Sequence, residues 1–157
     1  MRGIRAARRK VRKLLSVAAI SSMSLALPSP GNTQSGAVFV VGSNIGGRVN
    51  VRAIQIMDIR SRGQRVEIKG RVCLSSCTMY LGAGDVCISP KTSFGFHGPS
   101  FYGAPLSQAS FEYWSDLISS FYVAPLREWY MQTARHTISG FHRISGTQLI
   151  KMGYAQC

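Results

Sequence analysis

The chain has 157 residues, 45% of them apolar, with 16 glycines, which is enough for one domain with a core of its own. Its formal charge of +13 is unevenly placed: seven of the 19 basic residues lie in the first 13 positions, and the other twelve face six acids. That remainder is scattered, with neither a basic stripe nor a nucleic-acid motif, so nucleic-acid binding is not expected.

Taken in order, the basic start is followed by the moderately apolar run Leu14–Leu27. This run is short and serine-rich for a membrane span but suits the core of a secretory signal peptide, with small residues at Ser24-Leu25-Ala26 for cleavage. Residues 1–27 are therefore read as a signal peptide, the alternative being an uncleaved anchor formed by residues 14–27, which would be the chain's sole membrane association. Residues 28–36, rich in Pro, Gly, Ser and Asn, read as a flexible linker, and 37–157 as a single domain. The localisation expected is export, to the periplasm or beyond.

Ala37–Val41 is a continuous apolar run, consistent with a buried strand, and Gly42–Gly47 is a turn holding three glycines. Arg48–Arg62 reads as a helix with a stripe of Ala53, Ile54, Met57 and Ile56, closed by Gly63. Gln64–Lys69 alternates like a strand around Val66 and Ile68, and the run up to Leu74 reads as a further short apolar strand. A sharp turn then holds Cys73, Ser75, Ser76 and Cys77 and opens an apolar helix. Asp85–Ser89 and Thr92–His97 read as short strands, the first broken by Pro90, and residues 97–105 as a Gly/Pro-rich loop of the kind that borders a cleft. Ser107 can cap a long helix whose Phe111, Trp114, Leu117, Ile118 and Phe121 share a face. Pro125 suits the first turn of a helix running to about Arg135, and Ser145–Gly153 reads as a short capped helix. Strands alternating with helices predict an α/β layered domain with a largely parallel sheet and flanking helices.

Four cysteines, Cys73, Cys77, Cys87 and Cys157, form an even set, which in an exported protein suggests two disulfides with three alternative connectivities. The rival is a zinc site from Cys73, Cys77, Cys87 and a histidine, which lacks the C-x2-C spacing of common zinc sites; no metal or cofactor is expected. Ser75 is the candidate nucleophile. A small hydroxyl residue in a strand-to-helix turn is pushed outward, and the N–H groups that follow point at any anion forming beside it. Ser76 is the rival; Ser75 is preferred because a helix beginning at Ser76 leaves the Ser76 N–H free to donate. His97, ending a later strand, is the candidate base, because a serine hydroxyl is a weak nucleophile until a neighbour takes its proton. In an α/β sheet, sites form outside the carboxyl ends of strands, where Gly46-Gly47, Ser75 and His97 would all fall.

The ordered set Ser43-Asn-Ile-Gly-Gly47, Cys73-Leu-Ser-Ser-Cys77, Phe94-Gly-Phe-His-Gly-Pro99 and Ile144–Gly153 resembles the Clp protease proteolytic-subunit family of the crotonase-like superfamily, over roughly residues 38–157. The Cys-x-Ser-x-Cys turn is also similar to small exported bacterial proteins of that fold. The resemblance implies a layered Clp-protease/crotonase-like fold and a serine peptidase. Ser75 would be the nucleophile and His97 the general base, with the backbone N–H groups of Gly47 and Ser76 as oxyanion hole. A peptide or protein would be the substrate, and the resembled family forms rings, which implies a homo-oligomer. One element departs: the family's acid precedes the final helix, and this chain has no Asp or Glu after Glu128, with His142 and its neighbours in that place. Asp58, Glu67, Asp85, Glu112 and Asp116 match no family position. The alternatives are a non-catalytic member binding peptides or assembling through Phe111, Trp114, Phe121 and Tyr122, and an acyl-thioester enzyme using the Gly47 and Ser76 donors without a covalent serine. Export argues against the last, whose usual substrates are cytoplasmic.

Overall fold

Short β-branched and apolar runs build two sheets in a mixed α/β domain. The computed structural model describes residues 36–157; the expected signal peptide, and the linker up to residue 35, lie outside the described residues. In the first sheet, β1 (Gly36–Val41), β2 (Gln64–Ile68), β4 (Val86–Ile88) and β7 (Ala155–Gln156) stand in the order β1-β2-β4-β7, every pair parallel. In the second, β3 (Val72–Leu74) pairs in parallel with β5 (Ser93–Phe96), and β5 pairs antiparallel with β6 (His142–Ser145).

Val66, Ile68 and Ile88 are fully enclosed and form the core with Ile56, Met79, Tyr80, Phe94 and Leu149. Helix α1 (Val49–Ser61) covers β2, and Gly63 follows its C-cap in the left-handed region that glycine adopts without strain. The expected stripe is corrected: Ala53, Ile56 and Ile59 face the core, whereas Ile54 and Met57 are 62% and 54% exposed. The i, i+3, i+6 set of Ala53, Ile56 and Ile59 spans a narrower arc than the sequence reading allowed, because β-branched and apolar residues occur all round this helix. β1 differs too. It lies at the sheet edge, and Val38 and Val40 are 50% and 57% exposed while Val41 is buried, so a continuous apolar run here is not a strand covered on both faces.

The segment after β3 is a 3-10 helix (Ser75–Gly82) with Ser76 to Leu81 all buried. Eight residues is long for that geometry. Helix α2 (Gln108–Ser119) is capped by Ser107, whose hydroxyl accepts from the Ser110 N–H, and α3 (Ala124–Gln132) carries Pro125 in its first turn as expected. A second 3-10 turn (Ala134–His136) follows. Helix α4 (Gly146–Lys151) begins with a capping box in which Ser145 and Gln148 satisfy each other's backbone N–H groups. The core side of α2 is Ser115, Ile118 and Ser119, with Phe111, Trp114 and Leu117 only half-buried.

All four cysteines are paired, Cys73 with Cys77 and Cys87 with Cys157, which removes the zinc reading and fits an oxidising compartment. The second bond joins residues 70 positions apart and pins β7 to β4; the first joins residues only 4 apart. In the chain-entropy account, closing the long loop stabilises by about 4 kcal/mol and the short one by about 2 kcal/mol. No helix among the described residues is long and apolar enough to cross a membrane.

Candidate active site

Strand pairing brings the two singled-out side chains together. β3 and β5 are parallel with Leu74 opposite Gly95, so both chains leave the sheet at the same edge, one into Ser75 and the other, one residue further, into His97. The Ser75 Oγ and the His97 Nε2 lie 2.7 Å apart, within hydrogen-bond range.

Ser75 holds φ +54°, one of two non-glycine residues in the left-handed region among the described residues. That conformation costs about 1–2 kcal/mol for an L-residue and must be held by its surroundings. The Thr78 Oγ1 donates to the Ser75 carbonyl at 2.7 Å and lies 2.7 Å from the Tyr122 hydroxyl. From the other side comes the loop between β1 and α1, stitched to β3 by Asn44 N–H to the Val72 carbonyl and Leu74 N–H to the Asn44 carbonyl, both 2.9 Å. The Asn44 side chain accepts from the Gly46 N–H at 2.8 Å, and Gly46 sits so close that a Cβ there would be 2.5 Å from the Ser75 Cβ. Gly47 follows, lining the same cavity as Ser75 and His97, with no bond to its N–H among the described residues. The Ser76 N–H belongs to the first turn of the 3-10 helix, where N–H groups have no partner within the helix.

His97 is clamped through its backbone. Its carbonyl accepts from the Tyr130 hydroxyl at 3.3 Å, and the Gly98 N–H donates to the Thr137 carbonyl at 2.7 Å. A Cβ at Gly98 would fall 1.7 Å from the Arg135 carbonyl oxygen, so only glycine allows this approach. Arg135 is in turn tied to Glu112 of α2 by two contacts of 2.7 and 3.2 Å. The imidazole packs edge-to-face on Phe141, with ring centroids 5.1 Å apart. Burial pushes its pKa below 6.5; the adjacent Gly98 backbone acts in the opposite sense without forming a well-shaped hydrogen bond. The Nδ1 is buried with no partner among the described residues.

That unpartnered nitrogen is where an orienting acid would bond. The acids are engaged elsewhere or exposed: Asp58 with Arg62, Glu67 with Arg65 and Lys69, Asp85 with Arg65, Glu112 with Arg135, and Asp116 and Glu128 on outer helix faces. His142, at the position considered for the acid, contacts Thr137 Oγ1 at 2.9 Å instead. No family model matches the chain, and no curated protein matches it.

Around the pair opens a cavity of about 770 Å³. Its walls are mainly apolar, with Trp114, Ile118, Tyr122, Ile138 and Phe141 among them, and among the described residues Arg48 is its one charged lining residue. Burial holds the Tyr122 phenol well above its ordinary pKa, so it stays a neutral hydroxyl bonded to Thr78. The aromatic set expected as an interface is partly corrected: Phe121 and Tyr122 are buried in the chain's own core, and Trp114 faces the cavity. Sequence reasoning missed Phe141, Thr78 and Tyr130 as supports of the pair. Thr78 carried a faint signal, a hydroxyl three residues after the candidate serine; Phe141 and Tyr130 carried none.

Proposed function

We propose that the protein is an exported serine hydrolase, a peptidase in its simplest form, with the layered Clp-protease/crotonase-like fold that its ordered motifs resemble. The observation that carries this reading is the 2.7 Å contact between Ser75 Oγ and His97 Nε2 on the wall of a large apolar cavity. His97 accepts the Ser75 proton at Nε2 as Oγ attacks a substrate carbonyl. The Gly47 and Ser76 N–H groups stabilise the oxyanion, each such donor lowering the barrier by ~3 kcal/mol. The same proton then passes to the leaving amine, and water, activated by His97, releases the acyl group. An Nε2 that accepts must carry its proton on Nδ1, which makes no well-formed hydrogen bond among the described residues. Loss of the orienting carboxylate costs serine proteases ~10^4-fold, so slow turnover is expected. The two disulfides and the basic, then apolar N-terminal sequence support export to an oxidising compartment such as the periplasm.

The unpartnered Nδ1 also favours a second reading, a non-catalytic member of the fold that binds peptides or serves as an oligomeric scaffold. A fluorophosphonate probe separates the two. Labelling of the wild type that disappears in Ser75→Ala is the outcome expected; folded, oxidised protein that never labels overturns the hydrolase reading.

A further inference from the structure

The Cys73–Cys77 disulfide crosses the turn that carries Ser75. Cys73 belongs to strand β3 and Cys77 to the 3-10 helix, so the bond fixes the angle at which the strand enters the helix, with Ser75 at the corner. Both residues are 0% exposed. Joined across only 4 positions, they constrain the unfolded chain far less than the bond between Cys87 and Cys157, 70 positions apart, so entropy gives this crosslink the weaker claim to a stabilising role. What it encloses is the site's strained residue. Ser75 sits at φ +54°, and the other non-glycine residue in that region among the described residues, Tyr102, is at an exposed loop tip. Strain of this kind persists only where the surroundings over-determine it. Among the described residues the remaining restraints on Ser75 are the hydroxyl bond from Thr78, the contact of its Oγ with His97 Nε2 and the close approach of Gly46. A relaxed backbone at Ser75 would swing its Oγ away from the His97 Nε2, because the Cα–Cβ direction turns with φ.

We propose that the Cys73–Cys77 disulfide is a positioning element: it holds Ser75 in its left-handed conformation and so keeps Oγ on His97, while the Cys87–Cys157 bond supplies the stability. The effect on reactivity rests on the hydrolase reading; the effect on the Ser75 backbone does not. The test uses the oxidised protein and the double variants C73A/C77A and C87A/C157A, each with the remaining disulfide verified by thiol counting. Fluorophosphonate labelling of folded C73A/C77A is expected to be at least ~10-fold slower than wild type, consistent with a misplacement of about 1 Å at a reacting group. C87A/C157A is expected to melt lower yet label at the wild-type rate per folded molecule. Equal labelling of C73A/C77A and wild type overturns the proposal, as does a C73A/C77A chain that fails to fold, since the bond would then be a staple. If wild type does not label at all, the hydrolase reading falls and a second measurement decides the proposal. Ser75→Gly is compared with Ser75→Ala for melting temperature, with and without the Cys73–Cys77 bond. Glycine adopts positive φ freely, so it should melt higher than alanine in the crosslinked chain and lose that advantage in C73A/C77A. The same difference in both backgrounds overturns the proposal.

Discussion

His97 carries the pH dependence of the site. The base must be neutral to accept the Ser75 proton, and burial lowers its pKa below 6.5. The acid limb of labelling rate against pH is therefore expected to have its midpoint below 6.5, and Ser75→Ala removes the profile altogether. The same shift bears on stability with a definite sign. The unfolded chain binds the proton more readily, so folding weakens as pH falls from 6.5 towards the lowered value, and is unaffected by this group above 6.5. Phe141 supports the lowered value by covering the ring from the cavity side. Phe141→Ala admits water, and the midpoint should rise towards 6.5 while labelling slows; an unchanged midpoint would show that the ring owes its burial to other residues. Phe141 itself is seated by Gly95, where a Cβ would come within 3.2 Å of its Cβ and Cγ atoms.

Among the elements, the loop between β1 and α1 matters most for the serine. It lies alongside β3 through the Asn44 backbone bonds and presses Gly46 onto the turn. Gly46 has φ +105°, and its added Cβ would meet the Ser75 Cβ at 2.5 Å and the Leu74 carbonyl oxygen at 2.9 Å. Gly46→Ala must displace backbone, not a flexible side-chain end. It is expected to slow labelling by ~10-fold or more and to destabilise by about 1–3 kcal/mol, read from the melting curve and from probe kinetics on the folded fraction. The cavity-side helix α2 is anchored separately, by Arg135 on Glu112 and by the Ser107 cap, so the lesion should stay local to the turn.

At the scale of the molecule, the segment Ala155–Cys157 is a structural member. Strand β7 extends the parallel sheet beside β4, the Cys157 N–H donates to the Ile88 carbonyl at 3.1 Å, and Cys157 is bonded covalently to Cys87. The Cys87–Cys157 double variant is expected to lose about 4 kcal/mol in urea unfolding, within the range seen for native disulfides of small exported domains. A loss under 1 kcal/mol would show that β7 docks without its covalent tie. The bond lies in the other sheet, so its removal is expected to leave the β3–β5 pairing, and with it the Ser75–His97 contact, intact.

The residue pattern by itself determined most of the local structure. Caps, prolines, glycine stops and short β-branched runs act within a few residues, so α1, β2, β4, β5, the Ser107 and Ser145 caps and the turn at Ser75 were legible. It also brought out Ser75 and His97, because chemistry restricts which residue types can act as nucleophile and base. Only the tertiary structure decided what depends on partners distant in sequence. β6, whose His142-Arg143-Ile144-Ser145 has a single apolar residue, is a strand because β5 lies beside it, and the two-residue β7 because β4 does. The outward faces of α1 and β1 followed from which neighbours cover them, not from their own apolar content. The choice among three disulfide connectivities, the 2.7 Å contact of Ser75 with His97, and the lack of a partner for His97 Nδ1 among the described residues are long-range facts of the same kind. Hydrophobic periodicity records that a side is buried; what buries it is fixed by packing across the whole chain.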